Sequence, residues 1–199
     1  MRHSALVRVT HWLTTASFVA LAVSGVAILL AHPRLYWGET GAVGTPSLID
    51  LPLPFMLTGQ SGWGRYLHFV CAWMVVFTGV VYVLGGLRAR HFKEDLFSPQ
   101  RPAKYNPIQR VTYIAVVFVL FPVMVWTGLA MSPSVTSVVP ALVTSLGGQQ
   151  SARTIHFVVA VLLVGFVIGH VTMMTFAGFS RHLRAMILGG EPFAAEVQT

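Results

Sequence analysis

The chain has 199 residues, 55% of them hydrophobic and only 10% charged, which excludes a soluble globular domain, where about 25% are charged, and points to an integral membrane protein. Its net charge of +7 does not read as a nucleic-acid face, because the basic residues fall between apolar runs and act as topology signals. The single cysteine, Cys71, excludes an intrachain disulfide and a cysteine-held Fe–S cluster, and reads as a small buried helix residue.

Four apolar stretches have the length of about 20 residues that a bilayer core demands. The first is Trp12–Ala31. It follows Arg2 and Arg8 as a signal peptide would, but its length reads as an uncleaved span. A long segment rich in Pro and Gly comes next, residues 32–64, with Leu51, Leu53, Phe55 and Met56 placed to lie in the membrane interface. The second span is Tyr66–Leu87 and the third Val111–Met131. Residues 132–152 are apolar from Val135 to Leu146 and suit either a docked partner or lipid headgroups. The fourth span is Ile155–Phe179. The expected fold is all-α, a four-transmembrane-helix bundle forming a single domain over 1–199, with helices over roughly 10–31, 65–87, 108–131 and 153–179.

Charge sets the expected orientation. Arg2, Arg8, Arg88, Arg90, Lys93, Arg101, Lys104, Arg110, Arg181 and Arg184 lie on one side of this topology, and only Arg34, Arg65 and Arg153 on the other. The positive-inside rule makes the first side, and with it both termini, cytoplasmic. Ser24-Gly25 in span one and Thr127-Gly128 in span three hint at an old duplication. Gly25, Gly79, Gly85, Gly165 and Gly169 suit close helix packing or room for a flat macrocycle.

Histidine carries the chemistry. Fourteen residues separate His156 from His170 on span four, a rise of about 21 Å and a rotation about 40° short of four turns. Both rings therefore point the same way near opposite faces of the bilayer, where ionisable residues are rare and functional. His11 opens span one and His68 opens span two. With the orientation above, depth sorts the four into an inner pair, His11 with His170, and an outer pair, His68 with His156. Two imidazoles at one depth on facing helices suit the two axial positions of a haem iron. Such iron has no open site and carries electrons. Interhelical hydrogen bonding is the alternative; zinc takes further ligands that two-histidine pairs lack. His3, His32, His91 and His182 read as surface residues.

Arg8, Arg65 and Arg153 each stand three residues before a proposed ligand. One turn toward water is where haem propionates of a membrane-spanning site belong, and guanidinium suits carboxylates. Arginines also cap membrane helices, and Arg88-x-x-His91 repeats the spacing in a polar loop.

Arg8-x-x-His11-Trp12, Gly64-Arg65-Tyr66-Leu67-His68, Lys104-Tyr105-Asn106-Pro107-x-Gln109-Arg110 and the His156/His170 spacing together resemble the bacterial cytochrome b561 and nickel-hydrogenase cytochrome b superfamily. The likeness is nearest to the cytochrome b subunits of formate dehydrogenase and thiosulfate reductase, and it covers essentially the whole chain. It implies a protein of the bacterial inner membrane with two haem b groups and the ligand pairs given above. It also implies electron exchange between quinone and a periplasmic or peripheral redox subunit of molybdenum, Fe–S or hydrogenase type. An asparagine before span three lines the quinone pocket of those relatives, and Asn106 matches it. Gln109 lies beside it, and a side-chain amide can hydrogen-bond a quinone carbonyl. Asn106-Pro107 also reads as a helix N-cap followed by proline. The resemblance further allows a stand-alone cytochrome b561 that oxidises superoxide and reduces quinone. A haem-free scaffold subunit is the third reading. Electrons run either way along such a wire; the inward direction costs about 2.3 kcal/mol per 100 mV.

Overall fold

A computed structural model describes residues 4–41, 44–52, 61–88 and 107–189. The chain runs through α1 (Ala5–Ala31), the two-residue strands β1 (Arg34–Leu35) and β2 (Ile49–Asp50), and α2 (Ser61–Arg88). It continues through α3 (Pro107–Ala115), a π-helical turn (Val116–Leu120) and α4 (Phe121–Ala130). The short α5 (Pro133–Thr136) and α6 (Ala141–Thr144) lead into α7 (Gln149–Phe176) and α8 (Phe179–Leu188). Four segments are long and apolar enough to cross a membrane: Ala5–Ala31, Gly62–Arg88, Val111–Ala130 and Gln149–Phe176. A helix of 27 residues such as α1 is about 40 Å long, more than the hydrocarbon core of about 30 Å. This is the expected all-α architecture with four candidate spans.

The spans expose large apolar side chains, and small apolar and hydroxyl residues share their buried positions. Val19, Phe77 and Ile168 are more than half exposed, as lipid-facing side chains are. The buried side chains include Thr10 and Ser24 on α1, Thr78 on α2, Thr127 on α4, and Ser151 and Thr154 on α7. Small hydroxyl residues let backbones approach, and their protons go to helix carbonyls one turn back. Thr10 donates to Leu6 O at 2.8 Å, Thr78 to Met74 O at 2.9 Å and Thr127 to Val123 O at 2.8 Å.

Contacts divide the chain into two compact units. The first comprises Met1–Ser24, Arg65–Ser98 and Val167–Thr199. Within it, Thr14 and Thr78 join their hydroxyls at 3.0 Å. A Cβ on Gly85 would stand 2.9 Å from Leu6 Cδ2, so α1 and α2 pack closely there. Span four stops at Phe176, short of the expected Phe179, because Gly178 turns left-handed at φ 96°. The chain resumes as α8, whose Phe179, Leu183, Met186 and Ile187 recur at helical spacing. The Arg8 guanidinium donates through Nη1 to Ile187 O at 2.9 Å, and the Trp12 indole donates to Met186 O at 3.2 Å. A cation at the negative end of α8 is favourable. Gly189, left-handed at φ 72°, ends α8 by returning its N–H to Ala185 O; a Cβ there would stand 2.6 Å from Arg8 Nη1.

The second unit comprises Gly25–Gly64 and Pro99–Phe166. Pro122 has no N–H for the carbonyl four residues back, and its ring crowds that carbonyl. The preceding turn widens accordingly: Phe121 N–H reaches Val116 O, a π-type bond. β1 and β2 pair antiparallel, Arg34 with Asp50 and Leu35 with Ile49. An ion pair between Arg34 Nε and Asp50 Oδ2 at 3.2 Å accompanies them. The Trp126 indole donates to Leu142 O at 3.2 Å and ties α6 to α4.

The loop after α1 caps α7. Gly38 O accepts from the Gln150 and Ser151 amides at 3.0 and 3.3 Å. Gly38 N–H donates to Ser151 Oγ at 2.8 Å, and Thr154 Oγ1 donates to Tyr36 O at 2.6 Å. The bonds from Gln150 and Ser151 serve amide groups that a helix start leaves without partners. Gly148, at φ 119°, makes the approach possible: a Cβ there would stand 2.5 Å from the Gly38 carbonyl.

Two outcomes are expected. Gly148→Ala combines left-handed strain with a backbone clash and should destabilise by about 2 kcal/mol or more, read as a lowered Tm in detergent. An unchanged Tm would mean that the Gly38 contact is dispensable. Arg8→Ala should speed amide exchange across Phe179–Leu188 roughly fivefold, the loss of about 1 kcal/mol at a helix C-terminus. Exchange at the wild-type rate would remove Arg8 as the anchor of α8.

Candidate functional site

The two histidines assigned to the outer depth are held in the same way. His68 lies in the second turn of α2, half-buried. Its Nδ1 is 3.0 Å from Ser24 Oγ on α1. His156 lies two turns into α7, also half-buried, and its Nδ1 is 2.9 Å from Thr127 Oγ1 on α4. Both hydroxyls have spent their proton on their own helix: Ser24 donates to Ala20 O at 2.7 Å and Thr127 to Val123 O at 2.8 Å. With that proton on the helix carbonyl, each hydroxyl presents a lone pair to the imidazole. In that arrangement Nδ1–H donates and Nε2 keeps the lone pair. The His68 ring also has the Leu21 backbone as a hydrogen-bond partner. Ser24 and Thr127 are fully buried, each at 0% exposure, so water does not compete for their lone pairs.

The glycines beside them have different surroundings. A Cβ on Gly128 would touch His156 Cε1 at 3.6 Å, which places the ring edge against the α4 backbone. A Cβ on Gly79, Gly165 or Gly169 would meet no atom within 4 Å. Among the described residues, helix contact accounts for Gly85 and not for those three.

His11 and His170 belong to the first unit, as does His68; His156 belongs to the second. His11 is half-buried and His170 exposed on its helix. The His11 ring meets Trp12 edge-on, with centroids 5.4 Å apart and planes at 70°. Arg8, Val9, Trp12 and Leu13 on α1 form, with Met186 and Ile187 on α8, an open cleft of about 400 Å³. Arg8 Nε is buried there and has no acceptor among the described residues.

The arginines carry backbone carbonyls. Besides Arg8 on Ile187, Arg153 donates from Nη1 to Arg34 O at 3.3 Å and from Nη2 to His32 O. Arg65 is exposed. Asn106 lies outside the described residues, and Gln109 falls in the first turn of α3. Cys71 is a half-buried free thiol on α2. His32 is exposed and His182 half-buried on α8, while His3 and His91 lie outside the described residues. Among the described residues no three His, Cys, Asp or Glu side chains gather as a metal cluster would.

Sequence reading noticed Ser24 and Thr127 only as halves of a repeated dipeptide. Their contact with histidine needed the helices in place. Helix α8 was missed outright, although Gly178 and Gly189 bracket a ten-residue stretch of helical apolar period.

Residues 2–189 match the family described as prokaryotic cytochrome b561. The chain is also 31% identical, over 94% of its own length and 96% of the relative's, to a protein of Azospira oryzae (strain ATCC BAA-33 / DSM 13638 / PS). That relative is named putative protein-methionine-sulfoxide reductase subunit YedZ1. No solved structure matches the chain. The residues present fit the haem b of such a family: imidazoles with Nδ1–H engaged offer Nε2 as an axial donor, and the unsatisfied Arg8 Nε, one turn from His11, suits a carboxylate. The chain belongs to the prokaryotic cytochrome b561 family and is a multi-pass membrane protein of electron transfer.

Proposed function

We propose that this member of the cytochrome b561 family is the membrane subunit of a redox complex, carrying electrons between the quinone pool and a partner subunit on the outer face of the bacterial inner membrane. The carrying observation is the repeated hydroxyl–imidazole pair, Ser24 with His68 and Thr127 with His156. These contacts are interhelical hydrogen bonds, and the match to the cytochrome b561 family supports reading them as bonds that hold haem ligands in place.

His11 with His170 and His68 with His156 would hold one haem b each, the pairing resting on depth along the sequence. Bound there, haem b would supply a one-electron relay. The chain's own residues do the rest. Apolar span surfaces keep water from the ligands. The Arg8 guanidinium, engaged by α8 on one side, keeps Nε for an anion on the other. Asn106 and Gln109, at the entry to span three, would hydrogen-bond a quinone carbonyl near the cytoplasmic face. The orientation rests on the distribution of Lys and Arg.

The relative's name, a reductase subunit, supports a catalytic reductase as the partner. It favours a subunit over a stand-alone superoxide-oxidising enzyme.

The purified chain should give two b-type haems per polypeptide by pyridine haemochrome and reduced-minus-oxidised spectra; a colourless chain overturns the proposal. His170→Ala should lose one haem and its quinone-linked electron transfer, with the His68/His156 haem retained. Two haems in that variant would refute the pairing. Asn106→Ala should slow quinone-linked turnover roughly fivefold, about 1 kcal/mol for one hydrogen bond, with both haems in place. Wild-type turnover would put the quinone elsewhere.

A further inference from the structure

The two hydroxyls do more than occupy space between helices. Ser24 and Thr127 sit on different spans, 103 positions apart in sequence, yet make the same three-atom chain. A helix carbonyl takes the hydroxyl proton, and the hydroxyl oxygen takes the imidazole Nδ1–H. Each hydroxyl is followed by glycine, and at Gly128 the imidazole edge lies within 3.6 Å of where a Cβ would be. Both hydroxyls are wholly buried. Each has helix carbonyls within reach of its proton, which leaves a lone pair for the imidazole.

We propose that Ser24 and Thr127 are matched positioning residues that lock the tautomer of His68 and His156 and set the redox potential of the iron those histidines hold. The inference rests on the ligation proposed above. An acceptor on Nδ1–H makes the opposite nitrogen a stronger donor. A stronger donor favours ferric over ferrous iron, because the higher charge gains more from it. The hydroxyls thus lower the potential. A serine or threonine oxygen is a milder acceptor than a carboxylate and brings no charge into the membrane, where charge is costly. One hydroxyl on each histidine would tune the two donors alike.

Spectroelectrochemical titration of the haem-loaded full chain tests this, with low-temperature EPR of the ferric state. Ser24→Ala and Thr127→Val should each raise the midpoint potential of one haem component and move its low-spin g values. The component lost in His170→Ala should stay where it is. Both variants should move the same component, since His68 and His156 are proposed to share one haem. Ser24→Thr and Thr127→Ser, which restore a hydroxyl, should return the potential toward wild type. Loss of that haem in Ser24→Ala with its retention in Ser24→Thr also supports the role, because the hydroxyl is what serine and threonine share and alanine lacks. Midpoints and g values unchanged in both Ser24→Ala and Thr127→Val, with haem retained, overturn the proposal and leave ligation standing. Retention of both haems in His68→Ala and in His156→Ala overturns the ligation itself. Two different components moving would break the shared-haem pairing on which the single-component expectation stands.

Discussion

Inside a bilayer a polar group persists only if its hydrogen bonds are met by the protein, because no water is there to meet them. Most polar contacts of these spans follow from that constraint. A threonine or serine on a membrane helix gives its proton to the carbonyl one turn back. It is then left with lone pairs and no donor. Thr78, with its proton on Met74 O, presents a lone pair to Thr14. Ser24 and Thr127 present theirs to an imidazole. The helix backbone thereby favours one direction for each interhelical bond, and the proposed tautomer of the two histidines follows from that preference.

The same constraint explains what the arginines do. Arg8, Arg65 and Arg153 share a spacing to histidine, and the spacing alone suits propionate binding. In the folded chain Arg153 is spent on the carbonyls of His32 and Arg34, and Arg8 on the end of α8. A helix or loop that ends near the interface leaves carbonyls to satisfy, and a five-donor fork on an adjacent helix is suited to them. Arg8 also keeps a buried Nε that has no acceptor among the described residues. Under the proposed haem ligation, capping and carboxylate binding would be two uses of one side chain.

Much of the fold was legible because membrane spans are the strongest signal a sequence carries: length and hydropathy located all four. Their ends were less legible. Apolar counting finds residues in hydrocarbon, whereas α1 and α7 begin a turn or more earlier, at Ala5 and Gln149, before Arg8 in α1 and in the polar stretch Gln149–Thr154 of α7. Gly178 cut span four short, and a left-handed glycine inside an apolar run gives no warning in composition. His68 and His156 stood out as ionisable residues in apolar surroundings. Ser24 and Thr127 did not, because a hydroxyl on a membrane helix is ordinary until the partner across from it is known. The repeated Ser-Gly and Thr-Gly pairs were the one trace of their shared role.

His156 shows how local cues add up to a defined ring position. The Gly38 carbonyl and the Tyr36 carbonyl hold the first turns of α7, which fixes the helix along its axis and against rotation. Ser151, Arg153 and Thr154 all bond to the same loop, and His156 follows them by less than two turns. Thr127 then fixes the ring about its own bonds, while the backbone at Gly128 sets how near α4 it lies. Depth and azimuth come from the loop; tilt and tautomer come from α4. These constraints come from different elements, so a change in either one moves the imidazole in a way the other cannot correct.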